Sequence, residues 1–554
     1  MWLGTACGFR CEGMVSLAWQ KHPGMLPPMK FLALIWLILA ACPSVLSAAL
    51  TPESVAVLYN SALPESKQLA EIYRDARGIP LENMISLELP KTADISREVF
   101  DETLLMPLRD QFEGRGWWKR QTDSKGITVP MVNKIRVLVL MRGVPLRIQP
   151  KPRPPAQEGK PQPPQDPIGG HDEASVDSEL AMFGVEGLPP EGLLDNKFYK
   201  STKSITEENM PFLVLTARID AASLATCERM IRDAVETEKT GLWGRAYVDI
   251  ANKFPLGDKW MDDVAKADAA AGIPTVVDKF TDTFPKNYPM TDASIYYGWY
   301  DWNVSGPFLN PAFRFRKGAV AMHLHSFSAE QLTDANKSWS APLLERGAAV
   351  TVGNVYEPYL HLTHDFGLLH QSLLAGNTWV ESCWMAMPVT SWQGVVLGDP
   401  LYRPFRHLGG TGEKQEGDIA YRALRAAALE WGDKPEERER QLDRAADRMH
   451  SGILEEALGL DLVSRGKAPE AAQAFRKAKD LYVKTEDKLR QDFHLITIDR
   501  TANRKDLAVK GLRDALIRYG PIPESESLKG WLDILDPPPP PPADPTKVPA
   551  VKKP

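Results

Sequence analysis

The sequence predicts an α/β domain, with a mostly parallel sheet covered by helices and an α-helical extension behind it. Three observations predict this. From residue 54 onward, short apolar runs alternate with amphipathic ones, and a βαβα order implies parallel strands with helices on both faces. The run at 135–140 (IRVLVL) is β-branched and apolar and is stopped by Arg142-Gly143, as a fully buried strand should be. Between 293 and 405, three apolar runs each end in polar or aromatic residues: ASIYYGWYDWN, GAVAMHLHSFS and GAAVTVGNVYEPYLHLTHD. Ligands in parallel sheets sit where strands end, so these ends are the expected place for chemistry.

The elements follow in order. Strands are expected at 55–60, 85–89, 135–140, 212–216, 245–250 and 275–277, with helices at 64–77, 97–112, 223–239 and 259–271. The α/β domain therefore spans 54–406. A stretch rich in Pro, Lys and Gln at 149–168 interrupts it as a solvated insertion. From 413 to 520 the strand signal vanishes and helices take over. Within that region Gly459, Gly466 and the run EAAQAF at 470–475 resemble a helical hairpin of the tetratricopeptide type, where small residues let paired helices approach. A generic hairpin fits equally. The tail at 536–554 is Pro-rich and reads as extended and exposed.

Composition excludes some functions. With 66 Lys and Arg against 72 Asp and Glu, the net charge is −6 and no basic run stands out, so nucleic acid is not an expected partner. The N-terminal region points outward from the cytoplasm. Met29-Lys30 precedes an eleven-residue apolar run, a Pro43 break and small residues before Ala48-Ala49. That is the layout of a secretory signal peptide at 29–49. Residues 1–28 do not fit it and read as an extension upstream of the true start. Leu39-Ala40-Ala41-Cys42 also matches a lipoprotein box, so either simple cleavage or lipidation at Cys42 is expected. Both give a secreted, periplasmic or envelope protein, with membrane contact only through such an anchor. Two cysteines remain, Cys227 and Cys383, and a pair of buried apolar thiols is the expectation over a disulfide.

Five of the ten histidines fall between 323 and 370. Ser326 follows a strand and lies next to His325, suggesting a nucleophile and base. Neighbours on a strand face opposite ways, however, and the G-x-S-x-G elbow is missing. His323 and His325 form an H-x-H pair that would share a face if both lie in the strand. With His361, His364 and the carboxylate of Glu357 they are candidate ligands for a transition metal; a hydrogen-bonded polar cluster is the alternative. Trp299, Tyr300 and Trp302 form an aromatic run suited to a sugar ring or to capping a core. Arg218 and Asp220, at another strand end, are candidates for the same cleft, against a structural ion pair. Asp399 sits in a Gly-Asp-Pro turn and is either catalytic or a turn former.

These motifs resemble a known group. VLYN at 57–60, RGIP at 77–80, TARID at 216–220, YGWY at 297–300, HLHSFS at 323–328, EPY at 357–359 and GDPLYRPF at 398–405 together resemble a bacterial family without an assigned activity. It occurs in genomes carrying the exosortase protein-sorting system. The resemblance covers about 54–406 and implies an envelope setting. More distantly, the chain is similar to gingipain and caspase-like cysteine peptidases, which implies their sheet. Gly398-Asp399-Pro400 matches, but Tyr297 and Trp299 flank Gly298 where those enzymes carry His, and Ser326 stands where they carry Cys. The expected function is therefore a peptidase-like fold with a degenerate site that binds an envelope peptide, sorting signal, protein or glycan. The alternative is a hydrolase using Ser326 with a histidine base such as His323 or His361, or a histidine-bound metal.

Overall fold

The computed structural model describes residues 50–151, 170–281, 283–406 and 415–538. The leader with Cys42, the Pro-rich insertion beyond residue 151 and the tail from 539 lie outside the described residues.

The central sheet uses ten strands. β1 (Val55–Asn60), β2 (Met84–Leu87), β3 (Val137–Met141) and β4 (Leu215–Ile219) come first. β5 (Arg245–Asp249), β6 (Thr275–Asp278), β7 (Ala293–Gly298) and β8 (Val320–His323) follow, and β9 (Thr351–Asn354) and β10 (Gly394–Leu397) close the domain. They lie in two groups, β6-β5-β7-β8 and β9-β10-β4-β3-β1-β2. A parallel bridge between Val320 and Val350 joins the groups, with Ala321 N donating to Val350 O and Ala349 N to Ala319 O.

Alternation explains the burial. Val55 and Val57 of β1, and Val137 and Val139 of β3, face one core. Ala56, Leu58, Leu138 and Leu140 face another. A strand buried on both faces reads as an unbroken apolar run, which is why 135–140 was legible. Helices cover the faces. α1 (Pro64–Arg77) starts on proline and ends on Gly78 at φ +66°, burying Leu69, Ala70 and Tyr73. α2 (Leu224–Thr240) is capped by Ser223, which accepts from Thr226 N. α3 (Pro255–Ala270) packs on α4 (Phe366–Leu374). α5 (Trp379–Ala386) begins with a Thr378–Glu381 capping box.

One feature of the topology changes the reading of the strand ends. Within each group neighbours are parallel, except that β9 and β10 are antiparallel, with Asn354 opposite Gly394 and Thr351 opposite Leu397. Because β8 and β9 run the same way, the strands of the first group run opposite to β10, β4, β3, β1 and β2. The carboxyl ends of β5 to β9 thus lie on one edge of the sheet and those of β1 to β4 and β10 on the other. The expectation that all strand ends meet in one cleft is corrected.

Other boundaries also move. The strand expected at 212–216 lies at Leu215–Ile219 because Val214 N bonds to Ala181 O, outside the ladder, and Leu215 N is the first to reach Arg136 O. The helix expected at 97–112 is three pieces, Arg97–Phe100, a π turn Asp101–Leu105 and Met106–Gly114. A hairpin of Trp118–Thr122 and Thr128–Asn133 was missed, since the first strand is mostly polar and the second carries a proline at its centre.

Seven helices complete the described chain: α6 (Asp418–Trp431), α7 (Pro435–Met449), α8 (Gly452–Ser464), α9 (Ala468–Leu481), α10 (Thr485–Thr501), α11 (Lys505–Tyr519) and α12 (Glu526–Leu535). α8 and α9 form a close hairpin. A Cβ on Gly459 would stand 2.5 Å from the Phe475 ring, and Gly466 turns the chain at φ +73°. Buried ion pairs fasten these helices to the sheet. Glu456 of α8 lies 2.8 Å from Arg245 of β5 and 2.7 Å from Arg490 of α10, and Arg316 lies 2.5 Å from Asp418. Burial alone would raise the Glu456 carboxyl pKa, but Arg245 and Arg490 hold it well below the usual range.

Candidate functional site

A cleft of about 250 Å³ opens where β7, β8 and β9 end. Each strand contributes the residues that follow it. After β7, the chain turns through Trp299 and Tyr300 across a cis peptide. After β8 come Leu324, His325 and Ser326, and β9 supplies Asn354 and then Glu357 and Tyr359. Phe254, from the loop after β5, closes one side. Among the described residues no Lys or Arg lines it.

The local backbone is unusual. Phe327 has φ +60° and Tyr359 φ +62°, conformations that cost a bulky residue energy and gather at functional sites. Glu357 helps hold the second, since its Oε1 accepts from Tyr359 N at 3.0 Å.

The two histidines of the H-x-H pair have different fates. β8 stops at His323, so the shared-face expectation fails at His325. His323 is buried and its ring lies flat on Trp339, 3.4 Å between centroids. Asp301 N donates to its Nε2 at 3.2 Å, which leaves the proton on Nδ1, 3.0 Å from the Tyr296 hydroxyl. Both nitrogens are committed, and burial keeps its pKa well below the ordinary value. His323 is thus closed off as a base. His325 lines the cleft. Its Nδ1 donates to the Ser326 carbonyl, so Nε2 carries the lone pair. Burial lowers its pKa, opposed by the bond to Ser326 and by Glu357 and Asp301, so the ring is neutral at neutral pH.

Ser326 lines the cleft beside it, and among the described residues no hydrogen bond to its Oγ is formed. Trp302, 62% exposed, stands at the rim with its ring 5.0 Å from that of His325. Tyr300 packs on the other side of His325, also at 5.0 Å.

The remaining candidates do not gather here. His361 is exposed. His364 is fully buried with neither ring nitrogen hydrogen-bonded, and burial pushes its pKa down to about 3. Among the described residues no three His, Cys, Asp or Glu side chains converge as a metal site. Arg218, Asp220 and Asp399 lie at the far edge. Arg218 is buried, 2.6 Å from Asp177 and 3.3 Å from Asp220, and donates to the carbonyls of Val144 and Pro145. Asp399 is buried, accepting from Arg77 Nε at 2.5 Å and the Tyr73 hydroxyl at 3.0 Å. All three tie elements together and leave the cleft. Cys227 and Cys383 are free and buried, and burial raises the pKa of both thiols.

Sequence reasoning missed Phe254, Asn354 and Tyr359. Tyr359 closes the quoted EPY motif and Asn354 stands three residues before it, and a polar residue closing an apolar strand is a usable signal. Phe254, in a loop of a different strand, gave none.

A larger recess of about 580 Å³ lies between β6, α3 and the helical region. Asp262 is paired there with Lys266 and Arg438 with Asp461, and Asp278 accepts from Thr281 and Phe280 N.

No family model matches this chain, and no curated protein matches it. Among solved structures, one titled "Structure of Protease" is similar over 65% of this chain and 80% of its own, at 10% identity and a TM-score of 0.33. That likeness is too distant to carry an argument.

Proposed function

We propose that this chain is an exported envelope protein in which a peptidase-like fold has kept its cleft as a binding site, for a peptide, a sorting signal or a glycan. The leader-like sequence at 29–49 supports the export. The Gly398-Asp399-Pro400 motif supports the kinship with gingipain and caspase-like peptidases, and the residues at Gly298 and Ser326, where His and Cys are absent, support the loss of their chemistry. One observation carries the binding reading: among the described residues the cleft joins aromatic walls to a single neutral imidazole, with no thiol and no nucleophile–base hydrogen bond.

The test pairs reactivity with binding. The purified chain should stay unlabelled by a fluorophosphonate and by iodoacetamide, while ligand panels give saturable, cleft-dependent binding. Labelling at Ser326, abolished by His325→Ala, would establish the alternative, a hydrolase with Ser326 as nucleophile and His325 Nε2 as base. That alternative is favoured by one fact, that both residues line the same cleft.

A further inference from the structure

We propose that the ligand of this cleft is a glycan, bound through one neutral pyranose ring laid against an aromatic strip. The proposal rests on the binding reading above. The strip is continuous. Phe254 packs edge-on to Tyr300 at 6.2 Å, Tyr300 lies 5.0 Å from His325, His325 lies 5.0 Å from Trp302, and Trp302 lies 5.9 Å from Phe327. Its outer rings are open to solvent: Trp302 is 62% exposed, Phe254 52% and Tyr300 40%. Adjacent exposed rings of this size mark a binding surface. Flat faces with little aliphatic bulk suit the C–H face of a sugar ring, whose hydroxyls then project around the rim.

The polar groups agree with that orientation. Glu357 is exposed, and its carboxylate is fixed by the Tyr359 N–H. His325 offers a lone pair at Nε2, and Ser326 a hydroxyl. These groups accept from hydroxyl donors, which a sugar has in abundance. A carboxylate with no Lys or Arg in the lining repels uronic and sulfated sugars, so the ring should be neutral.

A peptide is less well served. An extended peptide that binds by strand addition needs an open sheet edge. Here β7 is flanked by β5 and β8, and β9 by β8 and β10, so the strands that build the cleft have no open edge.

The experiment is calorimetric titration of the full chain with cello-, chito- and manno-oligosaccharides, with polygalacturonate as acidic probe and a peptide pool rich in Lys and Arg. At least one neutral oligosaccharide should bind, and polygalacturonate should not. Trp302→Ala should weaken binding roughly tenfold, and Glu357→Gln several-fold, with unchanged melting temperatures because both side chains are exposed. Sugar binding indifferent to both substitutions would overturn the proposal. Peptide binding without sugar binding would overturn it too, while leaving the cleft as a binding site. Binding of neither class, with fluorophosphonate labelling of Ser326, would overturn both readings.

Discussion

The two edges of the central sheet differ in what they do with polar residues. At one edge, buried charges are tied into ion pairs. Arg218 is bound by Asp177 and Asp220, Asp399 by Arg77, and Arg245 and Arg490 enclose Glu456. At the other edge, the rings of Tyr300, His325 and Trp302 stand together, His325 keeps an uncommitted nitrogen, and Glu357 faces solvent. Buried charges demand partners and so become ties. An edge that must receive a ligand cannot satisfy its own groups in advance. Charge density at a strand end is therefore a poor guide to function in this molecule, and incomplete satisfaction a better one.

Substitutions can break this contrast. Glu456→Ala should do the most harm, because it leaves Arg245 and Arg490 buried without their carboxylate, at about 3–5 kcal/mol. Denaturant unfolding would measure it, and a loss below about 1 kcal/mol would mean the pair is not a tie. Since the Glu456 pKa is held down in the folded state, its contribution is complete above the ordinary carboxylate range and is lost as pH falls toward the lowered value.

Asp399→Ala should cost somewhat less, ~3 kcal/mol, because Arg77 keeps Glu238. Ligand affinity measured well below the melting temperature should not change. A loss of affinity would join the two edges functionally and dissolve the contrast.

His364 sharpens it through pH. The unfolded imidazole takes up a proton near its ordinary 6.5, whereas the folded one resists to about 3. Stability should therefore drop as pH falls through that window, by ~1.4 kcal/mol per unit, or ~2 kcal/mol by pH 5. His364→Leu should flatten this part of the profile, and an unchanged slope would reject the assignment.

The smallest effect on stability belongs to the cleft. Ser326→Ala should shift stability by less than about 1 kcal/mol, while weakening any ligand held there. Large destabilisation would mean that Ser326 is a structural part of the strand end.

The sequence made the parallel sheet legible because two-face burial writes itself as an apolar run, as at 135–140. It placed Trp299, Tyr300, His325, Ser326 and Glu357 near one another because each follows a strand of the same parallel set. It did not separate Arg218 and Asp399 from them. That separation depends on one antiparallel pairing, β9 with β10, and strand direction leaves no trace in composition. His323 and His325 were taken together because spacing shows a shared face but not where the strand stops. Trp339, which fixes His323, lies beyond any local pattern.

The same antiparallel pair bears on how the molecule is made. β10 sits between β9 and β4, yet it is synthesised only after β5 through β9. Until Gly394 leaves the ribosome, β4 presents an unpaired row of backbone groups, with an entire second half-sheet being translated beside it. Such an edge recruits whatever strand is nearest, and contacts closed over so long a separation form slowly. Chains interrupted before β10 should accumulate as insoluble material, and the demand for a holding chaperone should be greatest during that interval of translation.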